Sequence, residues 1–286
     1  MTPARRFAAE FAASRVGLAG LALLALVLLA ALLAPWISPQ NPHDLARLEL
    51  LDSRLPPLAR SAAGAIHWLG TDDQGRDMLS AILYGLRTSI AVGFTSTIFG
   101  LAIGASLGLA AAWFGGWIDA LFMRLADLQL SFPSILIALV LLAVLGQGLD
   151  KIIVALVAVQ WAYYARTARA AALVERRKEY VEAAVALALS NARIIFRHLL
   201  PNCLPPLIVL AAVQVAAAIT LEATLSFLGL GLPITEPSLG LLISNGFNYL
   251  LSGHYWISFF PGIALVAAVV SINLVADRLR DVLDPR

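Results

Sequence analysis

Three stretches of this chain carry no charged residue at all: Thr88–Ile118, Leu128–Leu149 and Tyr255–Ala276. About 20 residues of α-helix cross a hydrocarbon layer of about 30 Å, and backbone inside that layer must satisfy its N–H and C=O groups internally. Runs this long and this apolar are expected to be membrane spans. Composition agrees: 60% of the residues are hydrophobic and 13% charged, where a soluble domain carries about 25% charged. The expected fold is an all-α polytopic membrane protein with six transmembrane helices.

The remaining spans follow from other apolar runs. Gly17–Ala34 lies behind Arg5, Arg6 and Arg15. It is longer than a signal-peptide core of about 7–15 residues and lacks a small-x-small cleavage site before Pro35-Trp36, so an uncleaved first span is expected. The second span, about Thr88–Ala112, places Gly100, Gly104 and Gly108 on one helix face, which lets another backbone come close. Trp113–Arg124 reads as a short turn, with an Arg124–Asp127 pair at the membrane boundary and Pro133 bending the third span near its start. The fourth is Ile152–Ala165, short for a crossing; Lys151 and Arg166 snorkel, and the helix is expected to run beyond the lipid. Cys203–Leu221 is the fifth, and Tyr255–Ala276 the sixth, with Pro261 in its first turns.

Orientation follows from the basic residues. With the amino terminus inside, the inner segments hold Arg5, Arg6, Arg15, Arg124, Arg166, Arg169, Arg176, Arg177, Lys178, Arg193, Arg197, Arg278, Arg280 and Arg286, which is 14 of the 20. Arg47, Arg54, Arg60, Arg76, Arg87 and Lys151 fall outside. The excess on the inner side matches the positive-inside rule and puts both termini in the cytoplasm.

Several function classes drop out. The single Cys203 excludes an internal disulfide, and His43, His67, His198 and His254 lack metal-ligand spacing. In the polar section Ile37–Arg87, Thr71-Asp72-Asp73-Gln74 fits a capping box that opens a short helix into the second span, while the spacing of a calcium loop fails at Arg76. No G-x-x-x-x-G-K-[ST] loop is present. Neither a metal, a cofactor nor nucleic acid is expected, the net charge of +2 being a matter of topology. An enzyme needs convergent reactive groups, and Gln160, Gln214, Glu222 and Asn273 show no such pairing. A secondary transporter commonly repeats its halves, and no repeat is found.

The charges that do occur gather in Arg166–Ala184 and on to Asn202. Ala, Leu, Glu, Arg and Lys make this interlude helical. A break is expected near Ala188, with Ser190 or Asn191 capping a second short helix that Pro201 ends by turning Leu200 away from the α region.

Tyr180-Val181-Glu182-Ala183-Ala184, with Leu200-Pro201 after it, resembles the EAA loop of ABC-importer permeases. One position departs: the family usually has Gly where this chain has Ala188, and a Cβ in a left-handed turn costs roughly 1–2 kcal/mol. Leu69-Gly70-Thr71-Asp72…Gly75-Arg76-Asp77, Leu221–Leu232 and Phe260-Pro261-Gly262…Asp284-Pro285-Arg286 resemble the C-type permeases of dipeptide, oligopeptide and nickel importers. The resemblance implies the type I ABC importer transmembrane fold. Residues 1–87 would hold the tail, the first helix and a periplasmic segment. Residues 88–286 would form the importer domain, with a cytoplasmic coupling segment at about 175–201.

It further implies that Tyr180, Glu182, Ala183, Ala184, Ala188, Leu200 and Pro201 dock an ATPase subunit, Ala183 and Ala184 being small so that the helix seats. Glu222, Ser226, Gln214 and Asn273 are the candidates for pathway or gate, although a hydrogen bond to a neighbouring helix is the preferred role for Glu222. The implied partners are a second homologous permease, two ATP-binding subunits, an external solute-binding protein and lipid. The implied place is the bacterial inner membrane, and the implied cargo is di- or oligopeptides. Nickel or another small chelate is the alternative cargo, and a secondary transporter the alternative class. Single cysteines at Arg60 and Arg177, in a Cys203→Ser background, are expected to label from opposite faces of intact inner membrane; labelling from one face would remove the topology.

Overall fold

The computed structural model describes residues 3–44, 48, 50–62 and 64–283, so Arg47 and the closing Asp284-Pro285-Arg286 lie outside it. A short α1 (Pro3–Ala12) leads into α2 (Arg15–Ile37), where the Ser14 side chain caps the helix by accepting from the Gly17 N–H at 3.1 Å. Then come α3 (Met78–Phe114), α4 (Gly116–Leu130), α5 (Ser134–Leu145) and α6 (Leu149–Glu175). The interlude forms α7 (Glu179–Ala186) and α8 (Asn191–Arg193), and a π-helical turn Ile194–Leu199 joins α8 to α9 (Leu200–Phe227). A short α10 (Leu239–Phe247) and α11 (Trp256–Leu283) complete the chain.

Four of these helical stretches are long and apolar enough to cross a membrane: α2, α3, the continuous Asn191–Phe227 and α11. The pair α4 and α5, bent by 93°, makes a fifth if taken as one span. α6, read from the sequence as a further span, falls outside that count because of the charges in its second half. Its 27 residues are ample, and its second half carries Arg166, Arg169 and Glu175 past the apolar zone, as the short Ile152–Ala165 run requires.

The packing centre is the seam between α3 and α6, which run side by side in the same direction. A methyl group added to Gly104 would stand 2.6 Å from Cβ of Tyr164, and one on Gly108 2.9 Å from Cβ of Ala168, with the Trp161 and Ala165 carbonyl oxygens nearer still. Only glycine fits, so the helix axes approach closely along the whole seam. Nearer its start, one or two turns before the glycine seam, α3 meets α9 running the opposite way, Gly93 lying against Ile219.

Several local expectations are corrected. Trp113–Arg124 is not a turn, because α4 restarts one residue after Gly115 ends α3 at φ 65°. Asp127 does not pair with Arg124 but with Arg166 at 3.3 Å, and Asp119 takes Arg169 through both carboxylate oxygens; both reach across to α6. Pro133 does more than bend its span: α4 stops at Leu130 and α5 starts afresh at Ser134.

The capping box also fails. Thr71 instead donates to the Asp52 carbonyl and accepts from the Leu55 N–H. The Asp72 carboxylate accepts from the backbone N–H groups of Gln74 and Arg76 and from Arg76 Nε at 2.6 Å, which folds 72–76 into a turn around Gly75 at φ 80°. The helix cannot start until Asp77, whose side chain accepts from the Ser80 N–H at 2.8 Å. Trp256 Nε1 donates to the Thr71 carbonyl at 3.1 Å and ties this polar segment to α11.

Nor does Pro201 end a helix. Leu200 is α-helical at φ −53°, ψ −48°, and its N–H reaches back to the Ile195 carbonyl. A proline inside an α-helix clashes with the carbonyl four residues earlier. The π turn widens the ladder at that point, so the helix passes through Pro201, and Asn202 Nδ2 donates to the His198 carbonyl at 2.7 Å. Ser190 occupies the N-cap position of α8 without a side-chain bond.

The end of α7 is a Schellman turn. The Leu189 N–H bonds the Ala184 carbonyl at 3.2 Å, and the Ala188 N–H bonds that of Val185 at 2.9 Å. Ala188 sits at φ 53°, in the left-handed region. Ala188→Gly is therefore expected to raise the unfolding free energy by about 1 kcal/mol. Thermal unfolding of the purified variant checks this, and a lowered midpoint would mean that the residue relaxes into the helix.

Candidate functional site

Two regions combine accessibility with built geometry. The first is α7 at the basic end of the bundle. One face of α7 is buried, with Val181 at 1% and Ala184 at 4% exposure against Leu199, Cys203 and Leu207. The opposite face presents Glu182, Ala183, Val185 and Leu187, the last at 74% exposure. The two alanines thus divide: Ala183 faces out, while the smallness of Ala184 serves the chain's own packing. Leu200 packs on the same cluster as Tyr180 and Leu189, and Pro201 is exposed beside it.

The seat of α7 is anchored by charge. Tyr180 OH donates to Glu175 Oε2 at 2.7 Å, and Lys178 Nζ to Glu175 Oε1 at 2.6 Å. Burial, reinforced by the Glu175 carboxylate, pushes the Tyr180 phenol up to about 12, so it stays a donor throughout the physiological range. Arg176 Nη1 donates to the Ala112 carbonyl at 2.9 Å, and its guanidinium lies over the Trp113 ring, 5.4 Å from the centroid. The α7 unit is thereby fixed to the ends of both α3 and α6.

The second region is a cavity of about 490 Å³ bounded by α5, α6, α9 and α11. Gln214 and Asn273 both line it, from helices far apart in sequence. With them stand Ser134, Gln160, Tyr163, Thr220 and Thr224. Glu222 and Ser226 are placed elsewhere. Glu222 is fully buried and accepts from Ser89 Oγ and from Ser226 Oγ, both at 2.8 Å, which stitches α9 to α3.

Sequence reasoning missed Ser89 as the partner of Glu222, Glu175 as the anchor of Tyr180, and the hydroxyl residues of the cavity. The i, i+4 spacing of Glu222 and Ser226, and of Thr220 and Thr224, was the available signal. The long-range partners had none. Among the described residues no cluster of His, Cys, Asp and Glu is arranged to hold a metal ion.

Comparison with known proteins gives concordant results. Residues 100–286 match the family described as binding-protein-dependent transport system inner membrane component, and residues 2–57 match the N-terminal transmembrane domain of oligopeptide transport permease C. The dipeptide transport system permease protein DppC of Haemophilus influenzae is 36% identical over 285 residues, covering 100% of this chain and 95% of that protein. The di/tripeptide transport system permease protein DppC of Pseudomonas aeruginosa is 36% identical over 285 residues, covering 100% of this chain and 93% of its own length. A solved structure of the MetNI methionine ABC transporter in an inward-facing conformation aligns with 72% of this chain and 98% of its own, at a TM-score of 0.57 and 24% identity, a likeness of fold. The multi-pass helices, the α7 platform and these matches together place the chain in the family of binding-protein-dependent transport system inner membrane components.

Proposed function

We propose that this chain is one of two homologous permease subunits of an ABC importer for di- and oligopeptides in the bacterial inner membrane. Both termini and α7 lie on the cytoplasmic side, where the basic residues concentrate. Residues 1–87 supply the tail, the first span and an external segment, and residues 88–286 the importer domain with its coupling segment at about 175–201. Two ATP-binding subunits dock below, and an external solute-binding protein delivers cargo from above. The names of the relatives support peptides over a nickel chelate.

The observation that carries this reading is the two-faced α7. Its inner face is locked to α9 through Val181 and Ala184, and its outer face offers Ala183, Val185 and Leu187 with Glu182 beside them. Exposed apolar side chains on a firmly seated, water-facing helix suit a protein groove. Closure of the ATPase pair moves α7, and α7 moves α9, whose residues 213–224 form one wall of the cavity. ATP shifts such an equilibrium only through its differential affinity for the closed state, so the nucleotide chemistry belongs to the partner subunits.

Ala183→Trp is expected to weaken co-purification of the ATPase subunits while the spans stay folded. Glu182→Lys is expected to leave the complex assembled and abolish uptake in membrane vesicles. Normal assembly and normal uptake in both variants would sink the coupling role of α7. The chain purified without partners is expected to hydrolyse no ATP, and turnover above a vesicle blank would overturn the division of labour.

A further inference from the structure

The wall of the cavity is largely apolar, and the polar groups set in it carry no charge. Every residue that bounds it is apolar or bears a hydroxyl or an amide, and not one of the chain's Asp, Glu, Lys or Arg side chains reaches it among the described residues. Asp119, Asp127, Arg166 and Arg169 are paired with one another at the α4–α6 boundary, and Glu222 is held by Ser89 and Ser226. These ionisable groups are thus tied down elsewhere, and Asp277, one turn beyond Asn273, is exposed and outside the wall.

Hydrogen-bonding capacity remains. Gln214 and Asn273 each offer an amide carbonyl and an amide N–H, the two groups that a peptide bond itself presents. Gln160, 3% exposed, lies in the wall with Thr97 Oγ1 donating to its Oε1 at 3.3 Å, and its Nε2 has no partner. The Gln160 amide is therefore turned inward against α3, and Gln214 and Asn273 are the amides left to face the open part of the cavity.

We propose that this cavity is a charge-blind passage for peptide backbone. Gln214 and Asn273 exchange hydrogen bonds with the amide groups of the cargo, and the absence of fixed charge lets acidic, neutral and basic side chains pass alike. The inference rests on the peptide-importer reading and adds the property that sets which peptides the membrane step accepts. A pathway must bind its cargo weakly enough to release it, and a fixed charge would hold peptides of the opposite sign and repel the others.

The test uses the whole importer in proteoliposomes, with its binding protein saturated by Ala-Ala-Ala, Ala-Glu-Ala or Ala-Lys-Ala in turn. In the unmodified complex the uptake ratio of Ala-Glu-Ala to Ala-Lys-Ala is expected near unity. Gln214→Glu is expected to lower that ratio and Gln214→Lys to raise it, each by at least about tenfold, since like-charge juxtaposition in a desolvated site costs several kcal/mol. Asn273→Asp repeats the acidic arm from another helix if a Gln214 variant fails to assemble. A ratio beyond about tenfold in the unmodified complex, or charged variants that leave the ratio where it was, overturns the passage. Failure to take up any of the three tripeptides overturns instead the peptide-importer reading beneath it.

Discussion

Everything in this molecule leans on the close approach of α3 and α6. Helices in lipid gain nothing from hiding apolar surface, so they associate through van der Waals contact and a few polar links. Gly100, Gly104 and Gly108 remove the side chains that would hold the axes apart, and the Trp161 and Ala165 carbonyls occupy the space they leave. α9 then packs against both helices, and its polar stitch from Glu222 to Ser89 falls near the start of α3, before the glycine seam with α6 begins. Arg176, bonded to the Ala112 carbonyl at the foot of the seam, carries the same registration out to α7.

Polar groups are distributed to protect this core. The Asp119–Arg169 and Asp127–Arg166 pairs sit at its basic end, where water is near, and the buried Asp72–Arg76 pair with the caps around Asp77 sits at the other. Between them the described spans hold only one acidic residue without a basic partner, Glu222, and its cost is offset by two serine hydroxyls. Ionic chemistry is thus kept at the two ends of the bundle, and the middle is left to hydroxyls, amides and carbon.

The spans and the short helices of the charged interlude were legible in the sequence because their signals are local. Lipid leaves a chain no option but continuous apolar helix, and the glycine spacing of four residues announces a packing face before its partner is known. Three local readings went wrong for a shared reason, which is that a nearby group competed. Asp72 captured the Gln74 N–H, and the Leu55 carbonyl the Thr71 N–H, that the capping box needed. Arg166 outbid Arg124 for Asp127. The π turn absorbed the steric demand of Pro201 that a simple rule assigns to a helix end. The cavity was legible only in part, since Gln214 and Asn273 stand out as polar residues in apolar runs, while Ser134, Tyr163 and Thr220 converge on them only through the tertiary fold.

The π turn has a mechanical meaning. Because the chain does not stop at Pro201, Asn191–Phe227 is one continuous helix of 37 residues, about 55 Å long at 1.5 Å per residue. Its near end abuts α7, and residues 213–224 pass the cavity roughly 35–50 Å further on. A strut of that length converts a tilt of about 5° at its foot into a sweep of about 5 Å at its tip. A break at Pro201 would have turned the strut into two loose links and lost that gain; the wider turn keeps it rigid in thrust while giving it one place to flex.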